Sequence, residues 1–276
     1  MLQDLQRLSA DDMEGRAVGT PGGARARAYL LARFKAAGLA PFGTSHEVPF
    51  ERRGERDPGV NVIGYIPGTA APERFIVVSA HYDHVGVRGG RIFNGANDNA
   101  SGAAALPAIA GYFRAHRPAH SILIAAFDAE ESGLLGARAF VARPPVDRDA
   151  ILINVNLDMI GRDPSNTLWV VGTRQQPALK PLIERVASRA PVQLRMGYDD
   201  PRQGSEKDWT RDSDQWAFLE AGIPALFFSV EDYALHHEPD DDYESMTLEF
   251  YARAVETIVS TILEIDANAA IVTAPR

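Results

Sequence analysis

Cysteine is absent from this chain of 276 residues, which excludes disulfide bonds, thiolate metal sites and cysteine nucleophiles. Lysine is nearly absent, because Lys35, Lys180 and Lys207 are the only lysines. Acidic residues outnumber basic ones by 37 to 28, so the formal net charge is −9. An acidic chain of this kind lacks the electrostatic basis for nucleic acid or an anionic membrane as its main partner.

Long apolar runs are also missing. The longest, such as Phe75–Ala80 and Ser121–Phe127, are too short to cross a bilayer. The opening residues, MLQDLQRLSADDMEGR, contain neither a basic n-region nor an apolar h-region, so we expect no signal peptide in the sequence as given. Three catalytic signatures are absent as well: H-E-x-x-H, G-x-S-x-G and the phosphate-binding G-x-x-x-x-G-K-[ST]. The glycine-rich segments Gly19–Gly23 and Gly86–Gly90 are therefore interpreted as loops.

Short apolar segments, rich in β-branched residues, alternate with helical patterns along most of the chain. Several of these segments are continuous rather than alternating, as expected for strands covered on both faces. The predicted strands are Asn61–Ile66, Phe75–Ala80, Ser121–Phe127, Ile151–Asp158, Thr167–Val171 and Ala225–Ser229. The predicted helices cover residues 20–37, 99–115, 131–142, 176–189, 213–221 and 246–265. This order predicts an α/β fold with a mostly parallel central sheet and helices on both faces.

Histidine and acidic residues follow several of the predicted strands. In open α/β sheets, ligands bind beyond the carboxyl ends of the strands. Carboxylates gathered there would repel one another and would be costly to bury unless a cation paired with them. In a chain without thiolates, imidazole and carboxylate groups suit zinc, or else manganese or cobalt. The segments concerned are His81-Tyr82-Asp83-His84, Asn97-Asp98-Asn99, Asp128-Ala129-Glu130-Glu131, Asp158 and His236-His237-Glu238.

Each of these residues also has an ordinary structural interpretation. Asp98 is suited to cap the helix that follows it. Glu130 and Glu131 suit the first turn of a helix, where acids complement the helix dipole. The acidic run Asp240–Asp242 is interpreted as a solvated turn. Structural or surface roles are expected for the histidines that lie outside these segments, His46, His116 and His120.

Five segments resemble, in order and spacing, the zinc aminopeptidase family of co-catalytic dinuclear metallopeptidases, in particular its bacterial leucyl-type members. They are SAHYDHVG, NGANDNASGAAAL, AAFDAEESGLLGARAF, NLDMIGR and HHEPDDDYE. The resemblance extends from about residue 8 to residue 264 and includes DDMEGRAVGTPGG and DSDQWAFLEAGIPAL. It implies the phosphorylase/hydrolase-like three-layer α/β/α sandwich, with a mixed, mostly parallel sheet of about eight strands. Only 17 positions separate His81 from Asp98. We therefore expect residues 1–276 to form one metallopeptidase catalytic domain without an inserted apical or accessory domain.

The resemblance implies two zinc ions bridged by the carboxylate of Asp98. It implies that His81 and Asp158 are the remaining ligands of one metal. It assigns Glu131 and His237 to the other metal in the same way.

The resemblance also implies roles for residues beside the ligands. Glu130 is expected to be the general base, and Asp83 the carboxylate that orients His81. Some relatives carry a tyrosine just before the last histidine, where it donates a hydrogen bond to the oxyanion. His236 stands at that position here and is expected to bind substrate in its place.

These roles imply a zinc-dependent exopeptidase, an aminopeptidase that hydrolyses the N-terminal peptide bond with a metal-activated water. Its partners would be peptides with a free N-terminus. The alternatives are a glutaminyl cyclase-like mononuclear zinc aminoacyltransferase, a carboxypeptidase or dipeptidase of the same fold, and a non-enzymatic member that uses the cleft for binding. The segments EESGLLGARAF and GANDNASG are of the peptidase kind.

The loop Gly197–Trp209 is expected to shape the substrate pocket. Its acids Asp199 and Asp200 are either partners for a substrate ammonium or inert surface residues. The sequence indicates neither the side-chain preference nor the oligomeric state. The compartment is open too, because relatives are often secreted or periplasmic and a trimmed mature form would look the same.

Overall fold

Eight strands form one central sheet in the computed structural model, which describes residues 1–204 and 207–272. The described residues form ten strands, and all of them except β4 and β5 belong to this sheet: β1 (Glu47–Phe50), β2 (Gly59–Ile66), β3 (Ala71–His81), β4 (Gly86–Arg88), β5 (Arg91–Phe93), β6 (His120–Phe127), β7 (Ile151–Leu157), β8 (Thr167–Val171), β9 (Gln193–Met196) and β10 (Ala225–Ser229). The α-helices are α1 (Leu2–Leu8), α2 (Pro21–Ala36), α3 (Gly102–Ala115), α4 (Leu135–Ala142), α5 (Lys180–Ala187), α6 (Gln215–Glu220), α7 (Leu248–Ala267) and α8 (Ala269–Val272). All six predicted strands are present, and the sheet also contains β1 and β9, which were not predicted.

The sheet is mixed, with a parallel centre. Its order is β1-β2-β6-β3-β7-β10-β8-β9. Strands β6, β3, β7 and β10 are mutually parallel neighbours, whereas β2 and β8 run antiparallel to the strands beside them in that centre. The predicted mixed, mostly parallel sheet of about eight strands is therefore confirmed.

Both faces of the sheet are covered by helices, which explains the continuous apolar runs. Along β3, Ile76 and Val78 belong to one buried cluster and Val77 belongs to another. Successive side chains of a strand point to opposite faces, so the strand contributes to two cores. The first cluster includes residues of α1, α2, α3, α5 and α7, and the second includes residues of α4 and α6. The result is the three-layer α/β/α sandwich.

Local sequence explains where α2 begins. The hydroxyl of Thr20 accepts a hydrogen bond from the N–H of Gly23, and Pro21 occupies the first helical position. A threonine cap followed by proline is a strong helix start. The helix thus agrees with the predicted segment 20–37, and the interpretation of Gly19–Gly23 as a loop is wrong beyond Thr20.

The second glycine-rich segment is also more regular than predicted. Residues Gly86–Arg88 and Arg91–Phe93 pair as an antiparallel hairpin around Gly89 and Gly90. Both turn residues have positive φ, +59° and +77°. A two-residue hairpin turn of this type requires positive φ at both positions, which glycine adopts without strain.

None of the helices in residues 1–204 and 207–272 combines the length and apolar character that crossing a bilayer requires.

Candidate metal centre

Three neighbouring strands deliver the predicted acids and histidines to one edge of the sheet. Strand β3 ends at His81, β7 ends one residue before Asp158, and β6 ends shortly before Glu130. Since β6, β3 and β7 are adjacent and parallel, their carboxyl ends meet. Two further loops reach the same edge, one with Asp98 before α3 and one with His237 after β10.

One cluster, called here the Asp158 group, contains His81, Asp98 and Asp158. The Nε2 atom of His81 lies 3.4 Å from Oδ1 of Asp98 and 3.2 Å from Oδ2 of Asp158. All three side chains are buried. Nε2 of His81 and Oδ1 of Asp158 are buried without a hydrogen-bond partner, and such buried polar atoms are costly unless a ligand satisfies them.

The second cluster, called here the Glu131 group, contains His84, Asp98, Glu131 and His237. Nε2 of His237 lies 3.2 Å from Oδ2 of Asp98 and 3.0 Å from Oε2 of Glu131. Nδ1 of His84 lies 2.8 Å from Oε1 of Glu131. His84 was not among the residues predicted to bind a metal.

Asp98 belongs to both groups and presents a different oxygen to each. Oδ1 faces His81, and Oδ2 faces His237. Within each group, the atoms available as ligands lie within 4.8 Å of one another. Imidazole nitrogen and carboxylate oxygen at these separations are a donor set that fits zinc and related divalent cations.

The pKa values in the Glu131 group show how strongly its members interact. Burial disfavours the charged carboxylate, yet His84, His237 and His81 hold the pKa of Asp98 well below its usual range. Burial likewise opposes ionisation of Glu131, and hydrogen bonds from His237 and His84 lower its pKa to about 2. Hydrogen bonds to Asp98 and Glu131 raise the pKa of His237 to about 10. The imidazole of His237 therefore carries a proton that a bound cation would displace.

Glu130 belongs to neither group, although its neighbour Glu131 does. Its carboxylate lines a cavity above the clusters, with Oε2 3.9 Å from Nε2 of His81. Its side chain is 13% exposed, and burial raises the pKa of Glu130 well above its usual range. A carboxyl group with a raised pKa, facing a cavity and left free of the ligand clusters, is suited to proton transfer near neutral pH.

Asp83 supports the acidic pair rather than His81 alone. Its carboxylate accepts the backbone N–H of Glu130 at 3.0 Å and that of Glu131 at 3.3 Å. Nδ1 of His81 lies 3.7 Å from Oδ1 of Asp83 but 3.1 Å from the backbone oxygen of the same residue. The nearer partner of the His81 ring is thus the carbonyl of Asp83, whereas its carboxylate was expected in that role.

The cavity above the clusters has a volume of about 220 Å³. One part of its wall is acidic and includes Glu130, and another part is apolar and includes Met159, Trp209 and Phe227. His236 also lines it, with Nε2 3.5 Å from Oδ2 of Asp98 and a half-exposed side chain. The predicted substrate-binding histidine therefore faces the same space as the candidate base.

Asp199 and Asp200 do not line this cavity, so the structure does not support the first of the two alternatives given for them, partners of a substrate ammonium or inert surface residues. Asp199 is buried and accepts the backbone N–H groups of Gly172 and Arg174. Asp200 pairs with the guanidinium groups of Arg174 and Arg202. Trp209, at the end of the same loop, does reach the cavity; positions 205 and 206 of that loop lie outside the described residues.

Two structural interpretations of the acids fail. Asn99, not Asp98, caps the following helix, since its Oδ1 accepts the N–H of Gly102 at 2.8 Å. Helix α4 begins only at Leu135, so Glu130 and Glu131 precede its first turn. Both acids are therefore available to the site.

The interpretation of the run Asp240–Asp242 as a solvated turn is wrong for Asp241, which is buried. Its side chain is 1% exposed and accepts the backbone N–H groups of Asn97 and Asp98. It also pairs with Arg162 at 2.9 Å. It thus fixes the loop that carries Asp98, and nothing in a run of three aspartates distinguishes its middle member in the sequence.

Arg16 is a second residue that the sequence did not single out. Its guanidinium is fully buried and donates to the backbone oxygens of Leu8, Tyr82, Asn94 and Gly95, and more distantly to that of Asp98. Burial lowers the pKa of Arg16 to about 10, so it stays charged at neutral pH. It connects the backbone segments on which His81 and Asp98 lie.

Comparison with known proteins places this geometry in context. Residues 61–262 match the model of peptidase family M28. A probable zinc metalloprotease of Pyrenophora teres f. teres is 28% identical over 229 residues, which are 73% of this chain and 47% of that protein. The chain thus spans about half the length of the curated relatives that it matches over most of its own length.

Solved structures share the fold. BSAP, a zinc aminopeptidase from Bacillus subtilis, superimposes with a TM-score of 0.63 and 26% identity over 78% of this chain and 52% of its own. The glutaminyl cyclase of Porphyromonas gingivalis superimposes with a TM-score of 0.74 over 95% of this chain and 96% of its own, at 19% identity. The latter likeness concerns the fold alone.

Proposed function

The chain belongs to peptidase family M28, and from that premise we propose that it is a zinc-dependent aminopeptidase that removes N-terminal residues from peptides. The proposal rests on how the ligand groups and the candidate base are arranged around Asp98. Two imidazole–carboxylate groups share this residue, and Glu130 stands beside them, free of both.

Zinc is the cation proposed, with one ion at each group. His81, Asp98 and Asp158 would hold the first ion, and Asp98, Glu131 and His237 the second. The buried, unpaired atoms of the Asp158 group support this, because they have no other partner in the described part of the chain. When bound, such a pair of cations supplies Lewis acidity toward the scissile carbonyl and the attacking water.

Proton transfer is assigned to Glu130. The water oxygen attacks the carbonyl carbon, and Glu130 takes the proton released from the water. The peptide C–N bond then breaks, and Glu130 passes the proton to the leaving amine nitrogen. Burial raises the pKa of this carboxyl group, which brings it nearer to the value at which a group both accepts and returns a proton.

His236 is proposed to donate a hydrogen bond to the oxygen that becomes negative during attack. It lines the cavity and is adjacent to His237, with 4.1 Å between the two ring centroids. A donor placed toward the developing charge stabilises the transition state more than the bound substrate.

The lining of the cavity favours a substrate with a free amino group. Six of the described residues that line it are carboxylates, and none is lysine or arginine. Three of the six are the proposed ligands Asp98, Glu131 and Asp158, which leaves Glu130, Asp212 and Asp232 facing the substrate. An α-ammonium group complements these remaining acids. A volume of about 220 Å³ is below the range of roughly 300–1,000 Å³ for sites that enclose larger ligands. It suits the side chain of one residue, and the apolar wall favours an apolar one.

A glutaminyl cyclase-like aminoacyltransferase is the second candidate, because the fold of such an enzyme matches this chain over nearly its whole length. The alternative set out from the sequence is an enzyme that uses a single zinc ion. The sharing of Asp98 between two clusters favours the peptidase.

Aminoacyl-nitroanilides and their N-acetylated counterparts test the proposal, with zinc present and after chelation. We expect zinc-dependent release of nitroaniline from free aminoacyl substrates and none from the blocked ones. A glutaminyl peptide assayed in parallel reports cyclisation as release of ammonia. Equal cleavage of blocked substrates, or cyclisation without hydrolysis, would contradict the aminopeptidase proposal.

A further inference from the structure

His84 lies inside the site without a function in the mechanism described above. Its side chain is buried, at 1% exposed. Its Nδ1 atom lies 2.8 Å from Oε1 of Glu131 and 3.5 Å from Oδ2 of Asp98. It stands three positions after His81, beyond the end of β3, yet it faces the other cluster.

The backbone around His84 is adapted to hold its ring in this place. Gly95 packs against the ring, and a Cβ atom at Gly95 would lie 2.4 Å from Cδ2 of His84. Gly95 also has φ +55°, a conformation that glycine adopts at low cost. The other ring nitrogen, Nε2, is buried and has no hydrogen-bond partner in the described part of the chain. Among the described residues, the polar contacts of the ring are thus all made with the Glu131 group.

The distances in this group match ligands around a single tetrahedral cation. Zinc–nitrogen and zinc–oxygen bonds of about 2.0–2.1 Å place neighbouring ligand atoms about 3.3 Å apart. Here His84 lies 2.8 and 3.5 Å from the nearest oxygens of Glu131 and Asp98. His237 lies 3.0 and 3.2 Å from oxygens of the same two residues. The two histidines therefore approach the shared carboxylates in equivalent ways.

We propose that His84 is a fourth protein ligand of the cation held by Asp98, Glu131 and His237, through its Nδ1 atom. This inference rests on the proposed function, from which it takes the cation. Four protein ligands close a tetrahedral zinc site, whereas three leave a position open. The Glu131 group then holds its cation more tightly than the Asp158 group does. The Asp158 group, with three protein ligands, keeps the open position that chemistry needs.

The competing role for His84 is that of a positioning residue, which donates Nδ1–H to Glu131 and touches no cation. Two substitutions separate the roles. His84→Ala removes both the ligand and the donor. His84→Asn keeps an N–H donor near the position of Nδ1, but its amide nitrogen is not a metal ligand.

Zinc affinity is measured for both variants by competition with a chromophoric chelator, which needs no activity. We expect two unequal sites in the wild type and loss of the tighter one in both variants. The loss should exceed 100-fold, since removal of a group that only orients a ligand costs about 10–100-fold. His46→Asn is the matched control, because His46 is also buried and its Nδ1 contacts only the backbone oxygen of Ile63.

Wild-type affinity in His84→Asn together with a loss in His84→Ala would overturn the ligand role in favour of positioning. Unchanged affinity in both variants would overturn it outright. A wild-type plateau at one equivalent would instead contradict the two-cation proposal, and the effect of His84→Ala on that one site would still decide the ligand role. If the variants do not fold, X-ray absorption spectroscopy of the wild-type protein with one equivalent of zinc decides between the roles. We expect two imidazole ligands around the zinc ion. A single imidazole ligand would contradict the inference.

Discussion

Replacement of Arg16 by lysine tests whether one buried guanidinium holds the site together. All five N–H groups of this side chain are directed at backbone oxygens, four of them within 2.9 Å. These oxygens belong to α1, to the residue after His81 and to the loop leading to Asp98. Arg16→Lys keeps the charge but presents its donors from a single nitrogen, which cannot reach all the oxygens arranged around the edge of the guanidinium group.

The expected cost follows from the number of oxygens left without a donor. A lysine ammonium has three donors where arginine has five, so at least two buried carbonyls lose their partner. Each unsatisfied buried acceptor costs about 1–3 kcal/mol, so two of them cost about 2–6 kcal/mol, with about 4 kcal/mol as the central value. At about 2–4 °C per kcal/mol for a domain of this size, Tm should fall by about 8–16 °C. Arg16→Met, which removes every donor, would cost most of the stability of an ordinary domain.

Thermal unfolding in the presence of a chelator measures this effect, because bound metal would itself stabilise the folded state. The zinc affinity of the same variant should also fall, because the backbone segments that Arg16 holds in place carry His81 and Asp98. Arg25→Lys is the control, because Arg25 is partly exposed and pairs with Glu14, whose side chain is also partly exposed. The Tm of this control should stay within about 1–2 °C of the wild-type value. Unchanged Tm and unchanged zinc affinity in Arg16→Lys would refute the reasoning.

Three further predictions concern the chemistry. Glu130→Gln should keep the metal and lose about 10²–10⁴-fold in kcat. Glu131→Gln should instead weaken metal binding. Metal analysis and kinetics measure both effects, and the reverse pattern would mean that the roles of the two residues are exchanged. His236→Ala should lower kcat by about 10²–10³-fold with metal content unchanged, and His236→Tyr should recover part of the loss; a wild-type kcat in the alanine variant would leave the ring a packing role. In the metal-free site, the pKa of His237 is raised to about 10, and the pKa of His81 is raised well above its usual value. Zinc binding should therefore release protons. Below these pKa values protons compete with the cation, so affinity should rise with pH through neutrality; calorimetry in buffers of different ionisation enthalpy measures the release, and its absence would contradict the protonated state proposed.

The sequence predicted the parts of this site that follow directly from strand order. Continuous β-branched runs identified β3, β6 and β7, and the rule that ligands lie beyond the carboxyl ends of strands then brought His81, Glu130 and Asp158 together. The family prediction is confirmed by the match over residues 61–262. Both results depend on short-range patterns, which a single sequence contains in full.

Contacts between distant loops were not predictable in the same way. Asp241 lies 143 positions from Asp98 along the chain, and the two meet only because the loop after β10 folds back over α3's start. Neither alternative given for Asp199, a partner of a substrate ammonium or an inert surface acid, included its burial, because the backbone N–H groups of Gly172 and Arg174 that it accepts leave no trace in local composition. The orientation of His84 is a third case, since it depends on the close approach of Gly95.

The distribution of hydrogen-bond donors explains how this site keeps so many carboxylates together. The outer carboxylates, Asp83 and Asp241, are satisfied mainly by backbone N–H groups of the loops that carry the inner acids. Those bonds use neutral donors, so they fix the loops without neutralising the centre. The inner carboxylates of Asp98, Glu131 and Asp158 then have imidazoles as their nearest partners, and the fully buried Arg16 reaches only carbonyl oxygens. A site built in this way keeps its negative charge for a cation, and the scarcity of lysine in the chain removes the side chain that would most readily take the cation's place.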